Sequence, residues 1–529
     1  MIDELVGQLI WGFISAQDDI KLAEESARKG HLSGIWLLPT EMRSAQDTAT
    51  LINRLQMASP FPMLVGVDAE AGLGLVMGTA TLLPTAMALG AAGDSKLVRD
   101  AALVTGLEAS ACGINAIAAP VLDVNVNPSN PIINVRSFGG DPNLVSELGV
   151  TFIRALQSAP GLGGKVLAIG KHVPGHGDTS RDSHLHLDSV NVDRQRLDAV
   201  ELAPFRAAIE ARVPLLMTAH VAYPALDPSG APATLSYPIM TELLRGEMGF
   251  EGAVVTDCMN MYAIAHNFEP QEAAVQAVLA GCDLVLTDQW GLVYEGLMRA
   301  TLDGRLHLTR LEEAAARVRK VKELIFGPGM EHPHPVDPQV AQWSVGTPAH
   351  IEIADRIASA AITAVNGTLI PPSPRPLIMA TRMARRFGPP VELQLRNALE
   401  AVGWANVDIL MLDPQPDPAE VQKAEAAARL AGWAALLHFN RVESFDPDAV
   451  VMSDQLVALM DRVAMTGVPV VTVSMGTPYA LSRMRDTSAQ ICSYSTCDAS
   501  LRATLRVLKG EVSAPGILPV ELKPVALMT

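Results

Sequence analysis

Short runs of consecutive apolar residues recur along the first three hundred positions, separated by longer amphipathic stretches. They occupy 9–14, 34–38, 63–67, 114–121, 166–169, 214–217, 253–255 and 283–286. None alternates polar with apolar, so each reads as a strand covered on both faces, as in a parallel sheet. Helical patterns such as 95–109 and 270–280 lie between them. Eight strand–helix units in this order predict an α/β fold, a TIM-like (β/α)8 barrel over residues 1–325. A stretch rich in proline and glycine, IFGPGMEHPHPVDPQ, then interrupts the pattern and predicts a linker over 326–345. Apolar runs resume at 376–380, 407–412, 434–437, 469–473 and 491–492, with helical patterns at 420–431 and 500–509. Residues 346–529 therefore read as a smaller α/β/α sandwich domain.

The barrel expectation concentrates chemistry. Polar residues stand just past six strand ends: Asp68, Asp123, Lys171 with His172, His220, Asp257 and Asp288. In a barrel those ends form one rim, so residues remote in sequence converge on one pocket. The densest segment is KHVPGHGDTSRDSHLHLDSV at 171–190, which places His172, His176, His184 and His186 on what reads as a loop after the fifth strand. Histidine carries protons near neutral pH, and packing gives little reason for four of them together. Asp182 and His184 lie two apart. In an extended loop they face one side, where the carboxylate orients the imidazole for general acid/base work. Asp257 ends the strand GAVVT and can either attack an electrophilic carbon or cap the helix that follows; the local sequence leaves both open. Arg136 can anchor a polar ligand through its planar fork or bridge to a surface carboxylate.

Other motifs narrow the possibilities. HVPGH spaces two histidines as in zinc helices, but Pro174 and Gly175 prevent a helix and no third ligand is evident, so no metal is expected. The glycines of AGLGLVMG, 71–78, miss the dinucleotide-binding spacing, and no cofactor is expected. His438 ends an apolar run and reads as a buried structural histidine. At 529 residues with 49% hydrophobic and 18% charged positions, the chain can bury more than one core. A net charge of −17 argues against nucleic acid or an anionic membrane as partner and suits a small, uncharged substrate. The five cysteines lack close pairing and read as free thiols, Cys112, Cys258, Cys282 and Cys492 beside apolar runs. Asp3 and Glu4 stand where a secretory signal would be positive, and no apolar stretch is long enough to span a bilayer, so a cytoplasmic location is expected.

Taken together, VGVDAEAG at 65–72, APVLDVNVNPSNPIINVRSFGGDP at 119–142, KHVPGHGDTSRDSH at 171–184, MTAHVAYPALD at 217–227 and VVTDCMNM at 254–261 resemble glycoside hydrolase family 3. The resemblance continues through VVTVSMGTPYAL at 470–481 and LKGEVSAPGILPV at 508–520. The KH-x-PGHG-x4-DSH string points to the β-N-acetylglucosaminidase (β-hexosaminidase) branch; relatives acting on unmodified glucosides or xylosides lack the DSH portion. The resemblance implies Asp257 as nucleophile, His184 as general acid/base with Asp182 as its partner, and Asp68, Arg136, Lys171 and His172 as residues holding the sugar hydroxyls. It implies a carbohydrate substrate, a retaining hydrolysis and a setting in the recycling of cell-wall fragments. Phosphorolysis on the same scaffold, β-glucosidase activity and non-catalytic sugar binding are the alternatives. One departure is visible: the family segment EGG followed by arginines reads Glu70-Ala71-Gly72-Leu73-Gly74-Leu75 here.

Overall fold

The computed structural model describes residues 2–14, 17–182, 185–367, 375–383, 387–442, 446, 450–484 and 487–522. The chain divides into two compact units. The first holds residues 1–82, 98–124 and 141–350; the second holds 83–97, 125–140 and 351–529. Two excursions, 83–97 and 125–140, thus cluster with the second unit, whereas the sequence expectation ran the barrel unbroken from 1 to 325.

In the first unit eight parallel strands follow one another: β1 Ile10–Ile14, β2 Gly34–Leu37, β3 Leu64–Val67, β4 Ala116–Ile117, β5 Leu167–Val173, β6 Leu215–Thr218, β7 Ala253–Val255 and β8 Val285–Thr287. Their order around the sheet is β8-β1-β2-β3-β4-β5-β6-β7, and a parallel bridge between Val255 and Leu284 joins its two ends. Every strand coincides with an apolar run of the sequence. The barrel interior is one cluster drawing on all eight, with Trp11, Trp36, Leu64, Ala116, Ile169, Met217, Val255 and Leu286 among its members. Trp11 and Trp36 meet edge to face, their centroids 5.2 Å apart. Gly66 makes room for them, since a Cβ there would fall 2.4 Å from Trp36 Cε3. Val318 and Val321 of the helix Leu308–Phe326 pack on the same cluster. Each fully buried side chain of this size stabilises the fold by about 1.5–3 kcal/mol.

The helices begin where the sequence supplies caps. Ser44 accepts from Asp47 N–H ahead of Ala45–Ala58, and Asp141 from Asn143 N–H ahead of Pro142–Ser158. The helix Pro270–Ala280 starts and ends where its pattern predicted.

The second unit has a six-stranded sheet of β9 Thr363–Gly367, β10 Pro376–Thr381, β11 Asp408–Leu412, β12 Trp433–His438, β13 Val470–Ser474 and β14 Ala489–Cys492. Its order is β9-β14-β13-β12-β10-β11, parallel except for β9, which pairs antiparallel with β14. Helices Pro418–Leu430 and Asp454–Ala464 cover one face through Ala424, Ala428, Leu456 and Leu459. β9 was not anticipated: TAVNG has one buried position and no sustained apolar pattern. No helix among the described residues is long and apolar enough to cross a membrane.

Candidate active site

The carboxyl end of the barrel gathers the polar residues. Past β3, Asp68 accepts from Trp36 Nε1 at 3.2 Å and from Lys171 Nζ at 2.7 Å. Lys171 also contacts Glu70 Oε1 at 2.6 Å. Only 2% of Lys171 is exposed, so its charge is sustained by these two carboxylates. Lys171 and His172 are not in the loop that the sequence suggested. β5 continues through them to Val173, because their polar side chains are held within the barrel mouth instead of facing solvent.

Asp123 organises the next layer. It is fully buried and accepts from His172 N–H at 3.1 Å and His176 N–H at 2.7 Å, while its other oxygen meets His172 Nδ1 at 2.7 Å. Burial opposes the charge on Asp123, but the fields of the two histidines and these hydrogen bonds outweigh it and hold the carboxyl below its usual range. His176 Nδ1 lies 2.9 Å from Thr179 Oγ1. Between the histidines Gly175 adopts φ +135, open to glycine alone without strain, and its carbonyl accepts from Tyr223. The PGHG turn is therefore a fixed scaffold, and His172 and His176 are tied to a buried aspartate 49 and 53 positions away in the chain.

Asp257 follows β7, partly exposed at the mouth. Its N–H donates to Thr218 Oγ1 at 3.3 Å, and Cys258 N–H donates to its Oδ1 at 2.7 Å. Partial burial pushes its pKa up, but the fields of His172, His220 and Lys171 with the Cys258 hydrogen bond overcome this, and the carboxyl sits below its ordinary value. Asp257 is thus an anion at neutral pH. His220, past β6, bridges Thr234 Oγ1 at 2.7 Å and Cys258 O at 3.0 Å, fixing the backbone beside Asp257. Asp288, past β8, carries a buried Oδ1 with no hydrogen-bond partner among the described residues.

Of the expected site residues, Asp68, Lys171, His172 and Asp257 converge here. Asp182 is buried on the loop after β5, and its carbonyl accepts from Leu185 N–H at 2.9 Å and His186 N–H at 3.0 Å. His184 lies outside the described residues. Arg136 belongs to the 125–140 excursion of the second unit, where its Nη1 donates to Ile132 O at 2.9 Å. Among the described residues no group of three or more histidine, cysteine or acidic side chains is placed to hold a metal ion. A cavity of about 270 Å³ lined by Ile52, Gln56, Gly113, Phe326, His332 and His334 opens near the amino ends of β4 and β5, and none of the expected site residues lines it.

Comparison with known proteins decides the family. Residues 1–321 match the model of the glycosyl hydrolase family 3 N-terminal domain. The chain belongs to glycosyl hydrolase family 3. Among its relatives, β-hexosaminidase A of Pseudoalteromonas piscicida is 34% identical over an alignment of 372 residues that covers 63% of this chain and 59% of the relative. A β-N-acetylglucosaminidase/β-glucosidase of Cellulomonas fimi is 34% identical over 374 residues, 69% of this chain and 64% of the relative. The matched part thus spans about six-tenths of each of these two relatives' own length. A solved family 3 β-N-acetylglucosaminidase from Paenibacillus sp. strain FPU-7 superposes with a TM-score of 0.85 at 31% identity, covering 100% of both chains.

Asp123, His176 and His220 were visible in the sequence as polar residues beyond strands or in the histidine segment, but without roles. Asp123 and His220 fix neighbouring backbone or rings, and His176 is part of the turn that Asp123 holds. Those functions become apparent only when partners distant in sequence are brought together. The Glu70–Lys171 pair was also missed, although Glu70 stood in the segment that departs from the family pattern.

Proposed function

We propose that the protein is a retaining β-N-acetylhexosaminidase that removes terminal β-linked N-acetylglucosamine from oligosaccharides or cell-wall fragments. The observation that carries this reading is the place of Asp257, a half-buried carboxylate just past β7 that accepts from Cys258 N–H and lies within the fields of His172, His220 and Lys171, which hold it below its ordinary range. An anionic oxygen so placed suits attack on an anomeric carbon. The names borne by the relatives and by the superposing structure support the sugar class.

In the first step Asp257 forms a bond to the anomeric carbon as the glycosidic C–O bond breaks, and the departing oxygen takes a proton from His184. In the second, water gives a proton to the now neutral His184 and its oxygen displaces Asp257, restoring the carboxylate. Asp182 partners the histidine, and Asp68, Lys171 and His172 hold the sugar hydroxyls. The part expected of Arg136 rests on the resemblance alone.

A panel of p-nitrophenyl β-glycosides, run with and without inorganic phosphate, tests the reading. Turnover of the N-acetylglucosaminide above the glucoside and xyloside, with free sugar as product in both buffers, is expected. Turnover that requires phosphate and yields a sugar 1-phosphate would replace hydrolysis by phosphorolysis, and binding without turnover would leave a sugar-binding protein.

A further inference from the structure

Beside the nucleophile strand lies an aromatic group that the chemistry above does not use. After Asp257 the backbone turns through 258–261, where Met261 N–H donates to Cys258 O at 3.1 Å. It then enters a single helical turn, Tyr262–Ala265. Tyr262 opens this turn and His266 closes it, so their rings stand one turn apart and stack, with centroids 4.5 Å apart and planes at 10°. His186, from the loop after β5, meets the Tyr262 ring edge-on at 6.2 Å and 68°. Both segments leave carboxyl ends of barrel strands, the end that carries Asp257, Lys171 and His172.

The tyrosine is nevertheless 42% exposed. A ring stacked on one imidazole and set at a steep angle to another, yet left open to solvent, contributes little to a core. Its order is costly in side-chain entropy, and a partner from outside the chain would make use of that order. The attacked sugar must lie deep in the mouth, against Asp257, Asp68 and Lys171. The departing half of the substrate must then lie further out, towards the rim where Tyr262 begins five positions after Asp257.

We propose that Tyr262, held by His266 and His186, is the stacking platform for the leaving-group sugar ring. The C–H faces of a pyranose are apolar and electropositive, which suits the negative face of an aromatic ring. The flanking imidazoles supply ring N–H groups for hydroxyls at its edge. This inference rests on the glycosidase reading and adds to it a preference for ring-bearing leaving groups.

The test compares N,N′-diacetylchitobiose, whose leaving group is a pyranose, with methyl β-N-acetylglucosaminide, whose leaving group has no ring. For Tyr262→Ala the loss of kcat/KM on the disaccharide should exceed the loss on the methyl glycoside by about three- to tenfold, the equivalent of one ring–ring contact. Tyr262→Leu, which keeps apolar volume without the ring, should show the same ratio, and Tyr262→Phe should restore the wild-type ratio. The methyl glycoside rate reports folding in each variant. An equal loss on both substrates, or no loss on either, would overturn the platform while leaving the glycosidase reading intact. A wild-type protein inert on both would overturn that reading and the platform with it.

Discussion

Replacing Lys171 by methionine tests how the mouth of the barrel is held together. Lys171 is almost wholly buried and touches Asp68 at 2.7 Å and Glu70 at 2.6 Å. Methionine keeps the stem and removes the charge, leaving two carboxylates facing one another. Removing one partner of a buried ion pair costs about 3–5 kcal/mol. The Asp68 side chain is 46% exposed and can be rehydrated, whereas that of Glu70 is 12% exposed and cannot be to the same extent. The expected loss is therefore about 2–4 kcal/mol, most of it from Glu70. A second effect follows at Asp257, which loses one of the positive fields that depress its pKa. A carboxylate must be ionised to attack, so the acid limb of kcat/KM moves to higher pH in the variant. Urea denaturation at neutral pH and a pH profile on an aryl N-acetylglucosaminide measure the two effects. A stability change below about 1 kcal/mol, with an unmoved acid limb, would refute both the pairing and its influence on Asp257.

Other substitutions probe separate parts of the account. Asp123→Asn can still accept from the two backbone N–H groups but loses the charged bond to His172 Nδ1; about 1.5–3 kcal/mol of stability should go with it, together with turnover. A fully active variant of wild-type stability in urea would show that the clamp is dispensable. Lys322 is buried against Gln8 Oε1 at 2.7 Å, and burial pulls its pKa from 10.5 to about 7. The folded chain then binds fewer protons than the unfolded one between those values, so stability rises with pH from about 7 towards 10.5. Lys322→Met should flatten that rise and stabilise the fold near neutral pH by about 2–3 kcal/mol after the lost Gln8 bond is counted. Denaturation at pH 7 and pH 9 measures it, and a variant less stable than wild type at pH 7 would contradict it. His184→Ala should slow alkyl and sugar leaving groups far more than 2,4-dinitrophenolate, which departs without a proton; equal loss on both would remove the histidine as acid.

Much of the architecture was legible because barrel strands are buried on both faces and advertise themselves as unbroken apolar runs. The reading failed where strands carry function. β5 was cut short at Ile169 because Gly170, Lys171 and His172 interrupt the run, although the strand continues through them and Lys171 and His172 bond to Asp68 and Asp123 past the strand ends. β9 escaped notice because an edge strand such as TAVNG need not be apolar. The excursions at 83–97 and 125–140 join the second unit through contacts hundreds of positions away, such as Asn125 with Tyr479 at 2.7 Å, which no local pattern encodes. In the site, residue types and strand ends picked out Asp68, Lys171, His172 and Asp257. The bonds that Leu185 and His186 N–H make to the Asp182 carbonyl leave no trace in composition.

The most direct test of the account is to incubate the protein with 5-fluoro-N-acetylglucosaminyl fluoride, which forms a glycosyl-enzyme faster than water releases it, and to map the adduct by peptide mass spectrometry. One sugar per chain, attached to the peptide containing Asp257 and absent from Asp257→Ala, is the predicted result. An adduct on another residue, or rapid turnover that inverts the anomeric configuration and leaves no adduct, would contradict it.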